Sequence, residues 1–411
     1  MRRSPTRNQR LIVGLAGGDT AAYRDSLAAM LLASVASIVS GITLASITGT
    51  LEDFPGLLLL VPAALAVKGN VFGALGSRLG TSIHTGTFSL TARLDSVVGQ
   101  NTAVALALSL VTSVVLAFLA KVVAIAFSIT PTMSLVDFIV ISTVGGLLAS
   151  VVVLAITLLL AGGSVRHGWD LDNVVAPLVN AVGDLVSLPA LVIAVRFAGV
   201  DLASPVIAIV VVVAAIVVTI WAFRSSLELV PSIMRESLPV LAMAGTIDLV
   251  AGITIEKRLD DLLRYPMLLI LLPGFLNKAG SLGGILSSRL ATKFHLGLLD
   301  PDAVPRRGVW PDVAMTFSLA VPVFFVAAVT AQFGGTITGD VGPGLASMIA
   351  ATLLGGLIAT VCLVVIAYYA TVVAVRFGLD PDTYGIPIVA SALDFVGAFA
   401  LVLALVWLGV I

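Results

Sequence analysis

Eleven stretches of about 20 or more predominantly apolar residues run through this chain, near 26–50, 55–79, 100–128, 134–162, 172–198, 203–223, 237–256, 264–290, 312–334, 343–371 and 382–410. Hydrocarbon offers no water to backbone N–H and C=O groups, so each stretch must satisfy its own polar groups as a helix. The chain therefore predicts an all-α polytopic membrane protein. Composition agrees, because 59% hydrophobic and 11% charged residues leave too little polar surface to cover a soluble globule. A formal net charge of -1 gives no footprint for nucleic acid. The basic cluster Arg2, Arg3, Arg7 and Arg10 does not lead directly into an apolar run ending in a small-residue cleavage site, so no cleaved leader is expected. The single Cys362 allows neither an internal disulfide nor a cysteine metal cluster.

The chain repeats itself. At a spacing of 211 residues the pairs include Arg24/Arg235, Gly41/Gly252, Pro55/Pro266, Pro62/Pro273, Gly69/Gly280, Arg78/Arg289 and His84/His295. At 210 the repeat resumes with Gly145-Gly146/Gly355-Gly356, Arg166/Arg376, Asp172/Asp382, Pro177/Pro387 and Asp184/Asp394. Each unit holds five spans, an odd number, so two units joined directly would point in opposite directions. The span near 203–223 has no counterpart and returns the chain to the starting side. The expected organisation is a cytoplasmic segment (1–23), a first five-helix unit (24–200), a linker helix with its loop (201–234) and a second unit (235–411). The two parallel repeats would be related by a pseudo-two-fold axis along the membrane normal. Basic residues set the orientation. With the N-terminus cytoplasmic, 15 Lys and Arg fall on inner segments and 4 on outer ones, which leaves Ile411 outside.

Asp184 and Asp394 carry the chemistry. Each follows a proline by seven residues and lies about 18 Å into its span, near the middle of the bilayer. A carboxylate there is costly, and a chain that places it twice at the same depth is expected to use the pair as one cation site. Their hard oxygens suit magnesium, calcium or manganese. The bland alternative is a pair of hydrogen-bonded acids that lock helices together. Pro177 and Pro387 remove backbone donors and would free the carbonyls of Asn173 and Thr383 toward a pore, or simply kink the helix. In the second span of each unit, Lys68-Gly69-Asn70 and Asn277-Lys278, followed by Ser281, suggest an interrupted helix lining a cavity. The two lysines need partners, either the axial carboxylates or acids that serve assembly. Asp170, Asp172, Asp380 and Asp382 are expected to cap the fifth helices or to form an ion-attracting vestibule. His84 and His295 are expected in an inner loop, without a metal.

The segment Val61-Pro-Ala-Ala-Leu-Ala-Val-Lys-Gly-Asn70, then Ser77-Arg-Leu-Gly-Thr81, together with Pro177 to Asp184 and Pro387 to Asp394, resembles the MgtE superfamily of magnesium channels and transporters. The likeness is greatest to its solute carrier family 41 branch, with two MgtE-type units in one chain. The resemblance covers residues from about 24 to 411. It implies magnesium as the transported ion, no cofactor, and Asp184 and Asp394 as the central site, with the backbone carbonyls of Asn180 and Ala390 as companions. Two units in one chain make a dimer unnecessary. It also implies a multi-pass protein, placed in the plasma membrane of a prokaryote. The cytosolic regulatory domains of bacterial MgtE are not expected. Lys68-Gly69-Asn70 replaces the bacterial glycine-rich run, so an exchanger coupled to sodium or protons stands beside a channel.

A different class would make the two aspartates an intramembrane protease dyad, and Pro189-Ala-Leu191 echoes a motif of such enzymes. Against it, Ala181-Val182-Gly183 precedes Asp184 where Gly-x-Gly is needed, and no His-Glu-x-x-His helix exists for a metalloprotease.

Overall fold

A computed structural model describes residues 20–91, 93–167, 172–302, 304–377 and 386–411. These residues form helices α1 (Thr20–Ala45), α2 (Thr48–Asp53), α3 (Leu57–His84), α4 (Val97–Ala126), α5 (Leu135–His167), α6 (Asp172–Val195) and α7 (Ala203–Arg224). The second half continues with α8 (Leu229–Glu256), α9 (Leu259–Arg264), α10 (Met267–His295), α11 (Trp310–Thr338), α12 (Leu345–Arg376) and α13 (Ile386–Trp407). No strand occurs among the described residues, and 11 of the helices are long and apolar enough to cross a membrane. The protein is thus an all-α, multi-pass membrane protein.

Two expectations need correction. The second helix of each half is not interrupted: α3 and α10 run unbroken through Lys68-Gly69-Asn70 and Asn277-Lys278. The polar side chains find partners without opening the backbone, since Lys68 Nζ donates to Ser150 Oγ at 2.9 Å. Both helices also continue to His84 and His295, which therefore end helices and do not stand in a loop.

The first helix of each half packs into the other half. α1 lies against α10 and α11 as well as α6, and α8 lies against α3 and α4 as well as α13. Glycines permit this. A Cβ on Gly41 would run into the backbone of Ile270, and one on Gly252 would run into the backbone of Leu59. Gly41/Gly252 and Leu59/Ile270 stand at the same 211-residue spacing. Within each half the fifth helix packs on the fourth through a similar pair: a Cβ on Gly145 would come within 3.1 Å of Leu191 Cα, and one on Gly355 within 3.1 Å of Leu401 Cα. Close backbone approach through small residues is how helices associate where lipid supplies no hydrophobic drive.

α7 packs at the edge on α4, α5 and α8. Ala208, Ala215 and Ala222 form its buried stripe, while Val206, Ile209, Val210, Val213, Ile216, Val217 and Ile220 face outward. That is the surface of a helix bathed in lipid.

Candidate functional site: buried acids between the two halves

Asp184 lies on α6, is 6% exposed, and is held by residues of two other helices. Its carboxylate accepts a hydrogen bond from the Asn277 amide on α10, and its backbone carbonyl accepts one from the Ser40 hydroxyl on α1. Lys278, also on α10, acts on Asp184 electrostatically. A first-half acid is thus compensated by second-half residues. No ion pair closer than 4 Å joins Lys278 to Asp184 among the described residues, and the ammonium is buried without a hydrogen-bond partner.

Asp394 lies on α13, half-buried, with an oxygen 3.6 Å from where a Cβ on Gly280 of α10 would stand. It is within electrostatic reach of Asp184 and of Asp248. α6 and α13 do not pack extensively on one another. Each lies instead against the first, second and fourth long helices of its own half.

The remaining expected residues distribute as follows. Lys68 does not turn to an acid but to Ser150 on α5, because α3 and α5 pack together and Ser150 stands within reach. Asn180 is exposed one turn before Asp184, and its Oδ1 lies 2.5 Å from where a Cβ on Gly69 of α3 would be. Ser281 Oγ donates to Asn277 Oδ1 at 3.4 Å, extending the polar run toward Asp184. Asn70 and Ala390 are half-buried, and Pro387 is buried at the start of the described part of α13. Asp172 opens α6, and Pro177 lies within it; their side chains fall outside the described residues, as do Asp170, Asp380, Asp382 and Thr383.

Three buried acids escaped the sequence reading. Asp248 on α8 is fully buried beside Ser391, with no hydrogen bond closed within 3.5 Å. Glu256 accepts the N–H of Gly56 at 2.6 Å and of Leu58 at 3.2 Å. Asp312 accepts from Arg289 Nε at 2.9 Å and Lys293 Nζ at 2.5 Å. The signal was a lone acid within an apolar run, but a search for matching acids in both halves passes over all three. Among the described residues no group of three or more His, Cys, Asp and Glu gathers as a metal cluster.

The MgtE family, described as a divalent cation transporter, matches this chain twice, over residues 61–194 and 272–404. The chain belongs to the MgtE family. Its membership of a transporter family, rather than an enzyme family, removes the footing of the protease alternative. Among curated relatives, solute carrier family 41 member 3 of Rattus norvegicus is 26% identical over 386 residues, covering 87% of this chain and 81% of the relative. The Mus musculus protein of the same name is 26% identical over 379 residues, 86% of this chain and 75% of the relative. Solute carrier family 41 member 2 of Xenopus laevis is 24% identical over 413 residues, 92% of this chain and 70% of the relative. No solved structure gives a significant match. For this MgtE-family chain, divalent cations are the cargo, and hard carboxylate oxygens inside a helical bundle are the ligands such cargo needs.

Proposed function

We propose that this protein carries magnesium across the membrane through a site between its two repeats, with Asp184 and Asp394 as the charged groups the ion meets. The observation that supports this most is placement: acids at matching places in the two halves both lie against α10, Asp184 through the Asn277 amide and Asp394 with an oxygen 3.6 Å from where a Cβ on Gly280 would stand. In this reading residues 24–200 and 235–411 are the two units, related by a pseudo-two-fold axis along the membrane normal, and the Asn180 and Ala390 carbonyls line the approach. The N-terminus lies in the cytoplasm and Ile411 outside, in a prokaryotic plasma membrane.

Magnesium uptake into proteoliposomes at matched protein content tests it. Asp184→Asn and Asp394→Asn should each reduce uptake by about a hundredfold or more, as a loss of roughly 3 kcal/mol requires. The double variant should be little worse than either single one, since residues acting on one ion are not additive. Wild-type uptake in the double variant overturns the assignment.

Lys278 favours a second reading, exchange coupled to sodium or protons. A fixed ammonium acting on Asp184 lowers the net charge of the site, and a coupling ion would change that balance as magnesium leaves. Uptake that collapses without an opposing sodium or pH gradient supports exchange, and uptake indifferent to both supports a channel.

A further inference from the structure

Asp248 is fully buried, and neither of its carboxylate oxygens has a hydrogen-bond partner. Two groups stand beside it on α13. Asp394 lies within electrostatic reach of it, and Ser391, fully buried one turn before Asp394, turns its Oγ toward the Asp248 carboxylate without closing a hydrogen bond within 3.5 Å, where α8 packs along α13. Buried polar groups in native proteins nearly always find partners. Two acids and a hydroxyl turned on one of them, with no hydrogen bond closed among the three, are the arrangement a cation would complete.

The matching place in the first half is built differently. Ser37 stands 211 residues before Asp248 and donates to the Ala33 carbonyl at 3.1 Å, and Ala181 stands 210 residues before Ser391. There Asp184 already has the Asn277 amide and the Lys278 charge. With every group ionised, Asp184, Asp248 and Asp394 against Lys278 leave two negative charges, those one divalent cation neutralises. Asp184 and Lys278 cancel, so the uncompensated pair is Asp248 and Asp394.

We propose that Asp248, Asp394 and Ser391 form the seat of the divalent cation, so that the ion rests on the second half and not midway between Asp184 and Asp394. This rests on the transport reading above and adds a ligand to it. The asymmetry gives the two halves separate roles: the second holds the ion, while the first offers a carboxylate whose partners, Asn277 and Lys278, are supplied by α10.

The test uses the full chain in detergent, with magnesium chloride as the probe and magnesium-dependent protection against thermal unfolding as the measure of binding. Asp248→Asn and Asp248→Ser, the latter copying Ser37, should each raise the magnesium concentration for half-maximal protection at least about tenfold. An unchanged half-maximal concentration in either folded variant overturns the proposal, whatever happens to the magnesium-free melting temperature. Should neither variant fold, Ser391→Ala decides: a severalfold increase supports the seat, and no change overturns it. Asp394→Asn separates the two readings. If it keeps wild-type magnesium uptake, the transport site itself is wrong. If it fails while Asp248→Asn binds as wild type, only the seat is wrong.

Discussion

Glu256 ties the halves together through one carboxylate. It accepts two N–H groups at the start of α3 from the end of α8, where the free donors and the helix dipole both favour an anion. Glu256→Ala should cost about 1–3 kcal/mol, the penalty for leaving buried donors unmet, read as a lower melting temperature with magnesium affinity intact. Asp312 should matter more. Asp312→Ala would strand Lys293, 4% exposed, and Arg289, 15% exposed, at a cost of about 3–5 kcal/mol, and replacing Asp312 and Lys293 together by apolar residues should recover part of it. These acids are not legible in the sequence, for a physical reason. Asp184 and Asp394 are legible because the two copies agree, whereas Glu256, Asp312 and Asp248 face Ala45, Asn101 and Ser37 at the matching positions. Lys68 was equally opaque. Its partner Ser150 is 82 residues away and is one hydroxyl among many, so only packing of α3 on α5 could select it.

Helices were easier to read than their neighbours. Hydropathy located all eleven spans, because length and apolarity are properties of one segment alone. It misjudged ends: the first span stops at Ala45, short of the expected 50, with α2 following, while α3 and α10 continue past the apolar run to their histidines. Lipid dictates where a stretch must be apolar but not where a helix must end. Partners were out of reach for a related reason, since Gly41 and Gly252 read as a repeat, whereas their contacts, Ile270 and Leu59, lie in the opposite half. Gly41→Ala and Gly252→Ala should each destabilise by about 1–3 kcal/mol, since the new methyl meets backbone that cannot swing away. Gly73→Ala, on α3 with open space around it, is the control: it should hold or gain up to about 1 kcal/mol from helix propensity. Thermal unfolding of the three variants in one detergent checks both claims.

At the scale of the whole molecule the duplication extends to features too small to span a membrane. α2 (Thr48–Asp53) and α9 (Leu259–Arg264) are six-residue helices, each following the first long helix of its half, at the same 211-residue spacing. In the parallel-repeat reading proposed above, five spans per unit would invert the second copy, and α7 is the added crossing that sets it upright. Its lipid-facing Val and Ile surface fits a helix whose task is to return the chain. Interlocking of α1 and α8 with the opposite halves is also simpler between parallel copies, because each first helix then crosses in the same direction as the one it replaces. The parallel arrangement makes a definite prediction for α2 and α9, which must lie on one side of the membrane. In a Cys362→Ala background, Glu52→Cys on α2 and Asp260→Cys on α9, both at exposed positions, should react with an impermeant maleimide from the outside of intact cells. A cysteine placed at exposed Arg306, between α10 and α11, should react only after the cells are opened. If positions 52 and 260 label from opposite sides, the two repeats are inverted and α7 does not cross. The charge count that places the N-terminus in the cytoplasm would then describe only the first half.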